Sequence, residues 1–328
     1  MNPEIKKLNE KAEDYSLRLN KIQNEIKKVI VGQDEIIKKI LIGLVSDGHI
    51  LIEGVPGLAK TLVVKTLSDC LNSNFVRLQF TPDLLPADIT GTKIYDHKEI
   101  SFKVMKGPIF TNFVLADEIN RAPPKVQSAL LEAMQEKQVS IQGETFEIKK
   151  PFMVLATQNP IESEGTYKLP EAQVDRFMFK VLIDYPTKED EIKIINRFTQ
   201  GVVSKISKTI SPKDILDIQK FNRDIYVDTK IKDYVAEIVD ATRNPEKYGL
   251  DIGPDIEYGA SPRATLWLII AAKANAMING RGYVKPEDVK AICYDVLRHR
   301  ILLTYEFEAK ELTTDDIITK ILDKIKVP

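Results

Sequence analysis

The chain has 328 residues, with 47 lysines and arginines against 48 aspartates and glutamates and 43% hydrophobic residues. That length permits two domains with separate cores, and a formal charge of −1 excludes a broad electrostatic footprint for nucleic acid while leaving a local basic patch open. Cys70 and Cys293, and His49, His97 and His299, have neither disulfide nor metal-ligand spacing; no apolar run approaches the roughly 18–20 residues of a membrane span, and the start Met-Asn-Pro-Glu-Ile-Lys-Lys lacks a leader's apolar core, so a reducing cytoplasm is expected.

Asn2 caps a predicted helix with Pro3 in its first turn. Ile5, Leu8, Ala12, Tyr15, Leu19, Ile22, Ile26 and Val29 then alternate in steps of three and four, a heptad seam. Two readings stay open: an amphipathic helix laid on this chain's own body, or a seam for a neighbouring subunit. From residue 50 to 183, strand-like runs (Ile50–Ile52, Phe75–Phe80, Phe113–Asp117, Phe152–Thr157, Met178–Ile183) alternate with helical stretches. The pattern predicts a three-layer α/β domain on a five-stranded, mostly parallel sheet. Residues 91–107 and 138–150 read as two β-hairpins inserted into it, turning at Asp96-His97-Lys98-Glu99 and at Gly143-Glu144.

Tyr185-Pro186-Thr187 ends the last strand, and the remainder is helical: Glu189–Thr199, Ile231–Thr242, Arg263–Ile278 and Pro286–Leu297. The expected organisation is an α/β domain over residues 1–184 and an all-α domain over 185–328. Residues 244–262, rich in Gly and Pro, read as a long loop before the Arg263 helix.

The chemistry concentrates at two strand ends. Gly54-Val55-Pro56-Gly57-Leu58-Ala59-Lys60-Thr61 follows the first strand and has the form of a phosphate-binding loop. Its glycines permit a tight turn that aims backbone N–H groups inward, Lys60 reaches terminal phosphates, and the Thr61 hydroxyl suits Mg²⁺. Ala59 departs from the generic G-x-x-x-x-G-K-[ST] spacing but is small. Phe113-Val114-Leu115-Ala116-Asp117-Glu118 reads as a buried strand ending in two acids, Asp117 to hold the metal through water and Glu118 to act as general base. Paired acids at a strand end also serve as caps of a following helix.

In order, Val31-Gly32-Gln33, the loop Gly54–Thr61, Asp117-Glu118-Ile119-Asn120-Arg121-Ala122, Ala156-Thr157-Gln158-Asn159-Pro160, Leu169-Pro170-Glu171-Ala172-Gln173-Val174-Asp175-Arg176-Phe177 and Gly259-Ala260-Ser261-Pro262-Arg263-Ala264 resemble the motifs of AAA+ ATPases, and among them the MoxR family of chaperone-like ATPases. The resemblance spans nearly the whole chain. It implies a P-loop AAA+ domain followed by an all-α lid domain, with ATP and Mg²⁺ as ligands. It implies that Gly54, Val55, Pro56, Gly57, Leu58, Ala59, Lys60, Thr61 and Leu62 contact nucleotide, that Val31 and Gly32 contact adenine, and that Thr61 and Asp117 serve the metal.

It further implies a sensor-1 role for Asn159, an arginine finger acting on a neighbouring subunit for Arg176 and a sensor-2 role for Arg263; a strand cap at Asn159 and a local Asp175–Arg176 pair are the plain alternatives. Arg121 is a secondary candidate. The hairpins match two inserts of this branch, which implies a homo-oligomeric ring, commonly a hexamer, with the hairpins at its channel, and a partner carrying a von Willebrand factor A domain. The leading expectation is an ATP hydrolase that remodels protein complexes. A nucleic-acid-translocating motor using Lys93, Lys98, Lys103 and Lys106 is the alternative, and a nucleotide-gated scaffold is a third reading disfavoured by Glu118 and Arg176.

Overall fold

The apolar runs between residues 50 and 183 form one sheet, and their order in it fixes where a ligand can bind. The computed structural model describes residues 3–55, 57–58, 60–160, 165–199, 205–308 and 312–328. Asn2, Pro56 and Ala59 lie outside the described residues.

From the N-terminus come α1 (Pro3–Lys27), α2 (Asp34–Val45), β1 (Ile50–Glu53), α3 (Lys60–Cys70), β2 (Phe75–Gln79) and α4 (Pro86–Thr90). The hairpin of β3 (Gly91–Asp96) and β4 (Ser101–Lys106) precedes β5 (Phe113–Asp117) and α5 (Pro124–Glu136). A second hairpin, β6 (Gln138–Ile141) and β7 (Glu144–Glu147), precedes β8 (Met153–Gln158), α6 (Glu171–Val174) and β9 (Phe179–Leu182). Then follow α7 (Lys188–Thr199), α8 (Pro212–Asp224), α9 (Thr229–Ala241), β10 (Ile256–Tyr258), α10 (Pro262–Ile278), α11 (Pro286–Leu297), β11 (Leu302–Leu303), α12 (Tyr305–Glu308) and α13 (Thr314–Lys324).

The sheet order is β2-β5-β8-β1-β9, with β2–β5, β5–β8 and β8–β1 paired in parallel. Parallel neighbours need crossover connections, and the helices that supply them cover both faces. Accordingly β5 and β8 are buried along almost their whole length, while the edge strand β2 alternates, leaving Arg77 and Gln79 exposed. Leu51, Val114, Ala116, Val154 and Ala156 face Leu130 and Met134 of α5 in a core closed by Phe80, Phe152 and Phe177. Burial of each large side chain there is worth about 1.5–3 kcal/mol, which holds the strand ends in fixed register.

The next strand after β1 lies at the far edge, whereas the next after β8 lies on the other side of β1. The chain therefore switches direction between β1 and β8, and open α/β sheets bind ligands beyond the carboxyl ends of the strands at such a point.

Two compact units are present, one of Met1–Asn20, Met178–Lys180 and Asp217–Pro328, the other of Lys21–Phe177 and Val181–Leu216. Within the first, the α1 seam packs on this chain itself: Ala12 and Leu19 are fully buried, Ser16 Oγ donates to the Ile278 carbonyl at 2.6 Å, and the Gly282 N–H donates to Asn9 Oδ1 at 2.7 Å. Ile22 and Ile26 are buried in the second unit. Of the two readings of the heptad pattern, these contacts support the intramolecular one.

The stretch 244–262 corrects the expectation of a plain loop. It holds 3₁₀ turns at Pro245–Tyr248 and Gly253–Asp255, then β10, which pairs antiparallel with β11. The partner strand lies over forty residues away, so no local signal marked the pairing. Among the described residues no helix is long and apolar enough to cross a membrane.

His49, just before β1, ties the sheet to α5. Its Nδ1 accepts the Val154 N–H at 3.0 Å, which leaves the proton on Nε2 to donate to the Met134 carbonyl at 3.0 Å. Burial pushes the imidazole pKa down to about 4. The neutral form is thus the folded one, and its contribution to stability is complete above the unfolded value near 6.5 and lost as pH falls toward 4. Urea unfolding between pH 7 and pH 4 is expected to reveal a loss of about 3 kcal/mol that is missing from the pH profile of His49→Gln. Parallel profiles for the two proteins would contradict this assignment.

Candidate functional site

The loop after β1 is shaped by what surrounds it. The Gly54 N–H donates to the Gln158 carbonyl at 3.3 Å, and a β-carbon at Gly54 would lie 2.8 Å from the Ile183 carbonyl oxygen, so a side chain there would collide with backbone. Gly57 has φ +90°, in the region that glycine alone enters without strain. Lys60 and Thr61 open α3, whose first N–H groups have no helical carbonyl to bond and make the helix start a natural anion site. Lys60 Nζ turns across the loop to donate to the Gly54 carbonyl at 2.6 Å. Burial lowers its ammonium pKa, opposed by Asp117, Glu118 and Glu53. The buried Leu58 gives its carbonyl to Gln33 Nε2 at 3.1 Å, so the segment before α2 braces the loop.

Asp117 and Glu118 stand at the end of β5, beside β8. The buried Thr157 hydroxyl donates to Asp117 Oδ1 at 2.6 Å and accepts the Glu118 N–H at 2.9 Å. Glu118 is left-handed, at φ 57° and ψ 50°, a costly conformation for a residue with a β-carbon. Its Oε2 accepts from Gln79 Nε2 at 2.7 Å and pairs with Arg121 Nε at 3.1 Å. Arg77 Nη2 lies 2.6 Å from Asp117 Oδ2 and 2.9 Å from Gln79 Oε1.

These residues line one cavity of about 400 Å³, bounded by Gly54, Gly57, Leu58, Lys60, Thr61, Leu62, Arg77, Asp117, Glu118 and Thr157–Asn159. A hydroxyl from Thr61 and a carboxylate from Asp117 are hard oxygen donors that fit Mg²⁺, which takes few protein ligands and completes its shell with water and phosphate. Val31 and Gly32 line a second cavity of about 550 Å³ with Ile30, Gln33, Ile183, Tyr185 and Asp190. Gln33, reaching Leu58, connects the two. Val55 lies in the loop, half-buried.

The remaining candidates divide. Asn159 is buried beyond the end of β8 and lines the smaller cavity. Arg176 does not; it borders a separate cavity of about 320 Å³ with Ser128, Glu132 and Glu136. Its Nη1 donates to the Leu131 carbonyl at 3.2 Å, its Nε is buried with no hydrogen-bond partner, and no carboxylate pairs with it among the described residues. Arg263 is exposed in the first turn of α10, which Ser261 caps and Pro262 begins, and belongs to the other unit.

Residues 49–179 match the ATPase family associated with various cellular activities (AAA), and residues 250–321 match the AAA lid domain. The chain is 50% identical to the chaperone MoxR1 of Mycobacterium tuberculosis over 93% of its own length and 81% of that protein's. It is 30% identical to the MoxR protein of Paracoccus denitrificans, over 96% of this chain and 98% of the other. The chain belongs to the MoxR family of AAA+ ATPases. The crystal structure of a candidate ATPase from Cytophaga hutchinsonii superposes with a TM-score of 0.92 at 49% identity, covering 99% of both chains.

Four residues of this MoxR-family site escaped the sequence reading as individual contributors: Gln33, Arg77, Gln79 and Thr157. Gln33 and Thr157 sat inside motifs already quoted, and a polar residue in an otherwise apolar strand was the available signal for Thr157. Arg77 and Gln79 alternate along β2, which faces them toward the β5 end, but the β2–β5 pairing had to be known first.

Thr157→Val keeps the shape while removing the hydroxyl that serves both acids. Unfolding in urea is expected to register a loss of about 1–3 kcal/mol, the cost of leaving buried polar groups unpaired. An unchanged midpoint would mean that Asp117 and the Glu118 N–H find other partners.

Proposed function

We propose that this chain binds ATP with Mg²⁺ across the cavity at the ends of β1, β5 and β8, hydrolyses it, and uses the cycle as a ring-forming chaperone to remodel protein complexes. The observation that carries the reading is the convergence of a helix-start phosphate loop, Lys60, and two acids fixed by Thr157 on one cavity. Adenine would occupy the cavity beside Val31 and Gly32, with the phosphates along Gly54 to Leu62. Thr61 and Asp117 would hold Mg²⁺, which supplies charge neutralisation on the phosphates. Lys60 would exchange the Gly54 carbonyl for phosphate oxygen.

Glu118 would draw the proton from the attacking water, and its left-handed backbone turns it out of the strand toward the cavity it lines. The neutral amide of Asn159 would hydrogen-bond that water and the terminal phosphate without competing as a base. Arg176 borders a different cavity and has an unpartnered Nε, which supports a role on a neighbouring subunit's nucleotide, where it would offset charge on the transferred phosphoryl group. Arg263 would report nucleotide state to the lid.

The hairpin of β3 and β4 supports a protein client over nucleic acid. Lys93 pairs with Glu144 at 2.7 Å, Lys103 pairs with Asp96 and Glu99 at 2.8 and 2.7 Å, and Lys106 lies over the Phe110 and Phe146 rings. Ile94, Ile100, Phe102 and Met105 are meanwhile exposed, Ile100 to 78%. Large exposed apolar side chains of this kind suit unfolded or partly folded polypeptide. A von Willebrand factor A domain protein as partner rests on the family resemblance.

Glu118→Gln is expected to bind ATP with near wild-type affinity and lose turnover by about a hundredfold or more; normal turnover would remove Glu118 from the base role. Arg176→Ala is expected to lose turnover by about a thousandfold. Mixing the two inactive proteins should restore part of the activity, because a mixed ring pairs an intact base with an intact finger. Steady-state phosphate release from mixtures at several ratios tests this, and activity that never exceeds the sum of the parts would refute the intersubunit role.

A further inference from the structure

We propose that Arg77 is a positioning residue that competes with the metal for Asp117, and so sets how much Mg²⁺ nucleotide binding requires; the proposal rests on the nucleotide reading above. The two oxygens of Asp117 are used differently. Oδ1 accepts from the buried Thr157 hydroxyl at 2.6 Å, an interaction internal to the β5–β8 pair. Oδ2 accepts from both Nε and Nη2 of Arg77, at 3.0 and 2.6 Å. A cation or a metal-bound water approaching Asp117 meets an oxygen already held by a guanidinium.

Exposure decides which partner yields. The Arg77 side chain is 50% exposed, whereas that of Asp117 is 16% exposed and anchored through Thr157. Arginine carries its charge on a flexible stem and loses little by swinging into water; Asp117 has no such freedom. The geometry is also a consequence of the sheet. Gln79 is the register partner of Asp117, and Arg77, two residues earlier, is its diagonal neighbour on the same face, within reach of a long side chain.

The same guanidinium holds the second acid indirectly. Arg77 Nη2 donates to Gln79 Oε1 at 2.9 Å, and Gln79 Nε2 donates to Glu118 Oε2 at 2.7 Å. Release of Arg77 from Asp117 would remove the partner of Gln79 Oε1 and leave the Gln79 Nε2 bond to Glu118 in place.

The test is binding of a fluorescent ATP analogue to the full chain, titrated with Mg²⁺ and repeated in EDTA, for wild type, Arg77→Met and Arg77→Lys. The Mg²⁺ concentration at half-maximal binding is expected to fall about two- to fivefold in Arg77→Met, the range of a partly exposed ion pair. Arg77→Lys, which retains the charge but not the two-nitrogen contact, is expected to fall between. Affinity in EDTA should stay within about twofold of wild type.

An unchanged or raised half-point in Arg77→Met would overturn the proposal, as would a large loss of affinity in EDTA, which would make Arg77 a phosphate ligand. Should Arg77→Met fail to fold, as read by urea unfolding, Arg77→Lys carries the same test, and its unchanged half-point overturns the idea. Wild-type protein that bound no analogue would sink the nucleotide reading itself, whereas binding without a shift sinks only the role of Arg77.

Discussion

The parallel pairing of β1 with β8 is the constraint on which the rest of the site depends. Its register, Ile50 to Leu155 through Glu53 to Gln158, brings the loop after β1 and the Thr157–Asn159 segment to the same edge of the sheet. The Gly54 N–H then closes on the Gln158 carbonyl, and the pairing of β8 with β5 carries Thr157 to Asp117 and Glu118. A slip of one residue would invert every side chain on the strand. Leu155 and Thr157 share one face and Val154 and Ala156 the other, so a slip would also put Thr157 into the core beside α5, where the cost of an unpaired hydroxyl opposes it.

Much of this was legible because the chemistry rides on local geometry. The loop between β1 and α3 is one turn between a strand and a helix, and Gly54, Gly57, Lys60 and Thr61 mark it within eight residues as a candidate phosphate site. The strands were legible for a related reason: the buried β1, β5 and β8 are nearly continuous apolar runs and the edge strand β2 alternates, and the structure differs at their ends, as where Met178–Ile183 shortens to Phe179–Leu182. What escaped depends on pairing between distant segments. The contacts of Arg77 and Gln79 follow from β2 lying beside β5, and β10 exists because residues 302–303 supply its partner. Neither fact is periodic, and neither leaves a composition trace.

The two hairpins illustrate a middle case. Their strands were readable from alternation and turn residues, but their mutual dependence was not. Lys93 of one pairs with Glu144 of the other, and Lys106 lies 4.8 and 4.9 Å from the ring centres of Phe110 and Phe146. These contacts hold the base of the first hairpin against the turn and second strand of the other and leave Ile100 and Phe102, toward the β3–β4 turn, exposed. Each contact is weak alone, about 0.5–1 kcal/mol for a cation over an exposed ring. Together they give the tip a firm footing without covering it. The second hairpin leads directly into β8, so any displacement at Thr157 or Asn159 has a short covalent route to it and, through Lys93–Glu144 and Lys106–Phe146, a noncovalent one to the first.

Charge balance gives the site a further property. Lys60, Arg77 and Arg121 stand among Glu53, Asp117 and Glu118, and most of these groups are already engaged with one another or with backbone. Binding of a triphosphate and a divalent cation, as proposed, would then be an exchange of partners. Phosphate alone would draw Lys60 from the Gly54 carbonyl and leave Asp117 with Arg77; a metal alone would have to displace Arg77 with no phosphate to complete its shell. Arriving together, the anion would receive Lys60 while the cation takes Asp117 and completes its shell with phosphate oxygen. On the proposed nucleotide reading, a cavity neutralised in this way would offer little to a lone cation, because Asp117 already holds Arg77, and would favour a cation that arrives with its phosphate ligands.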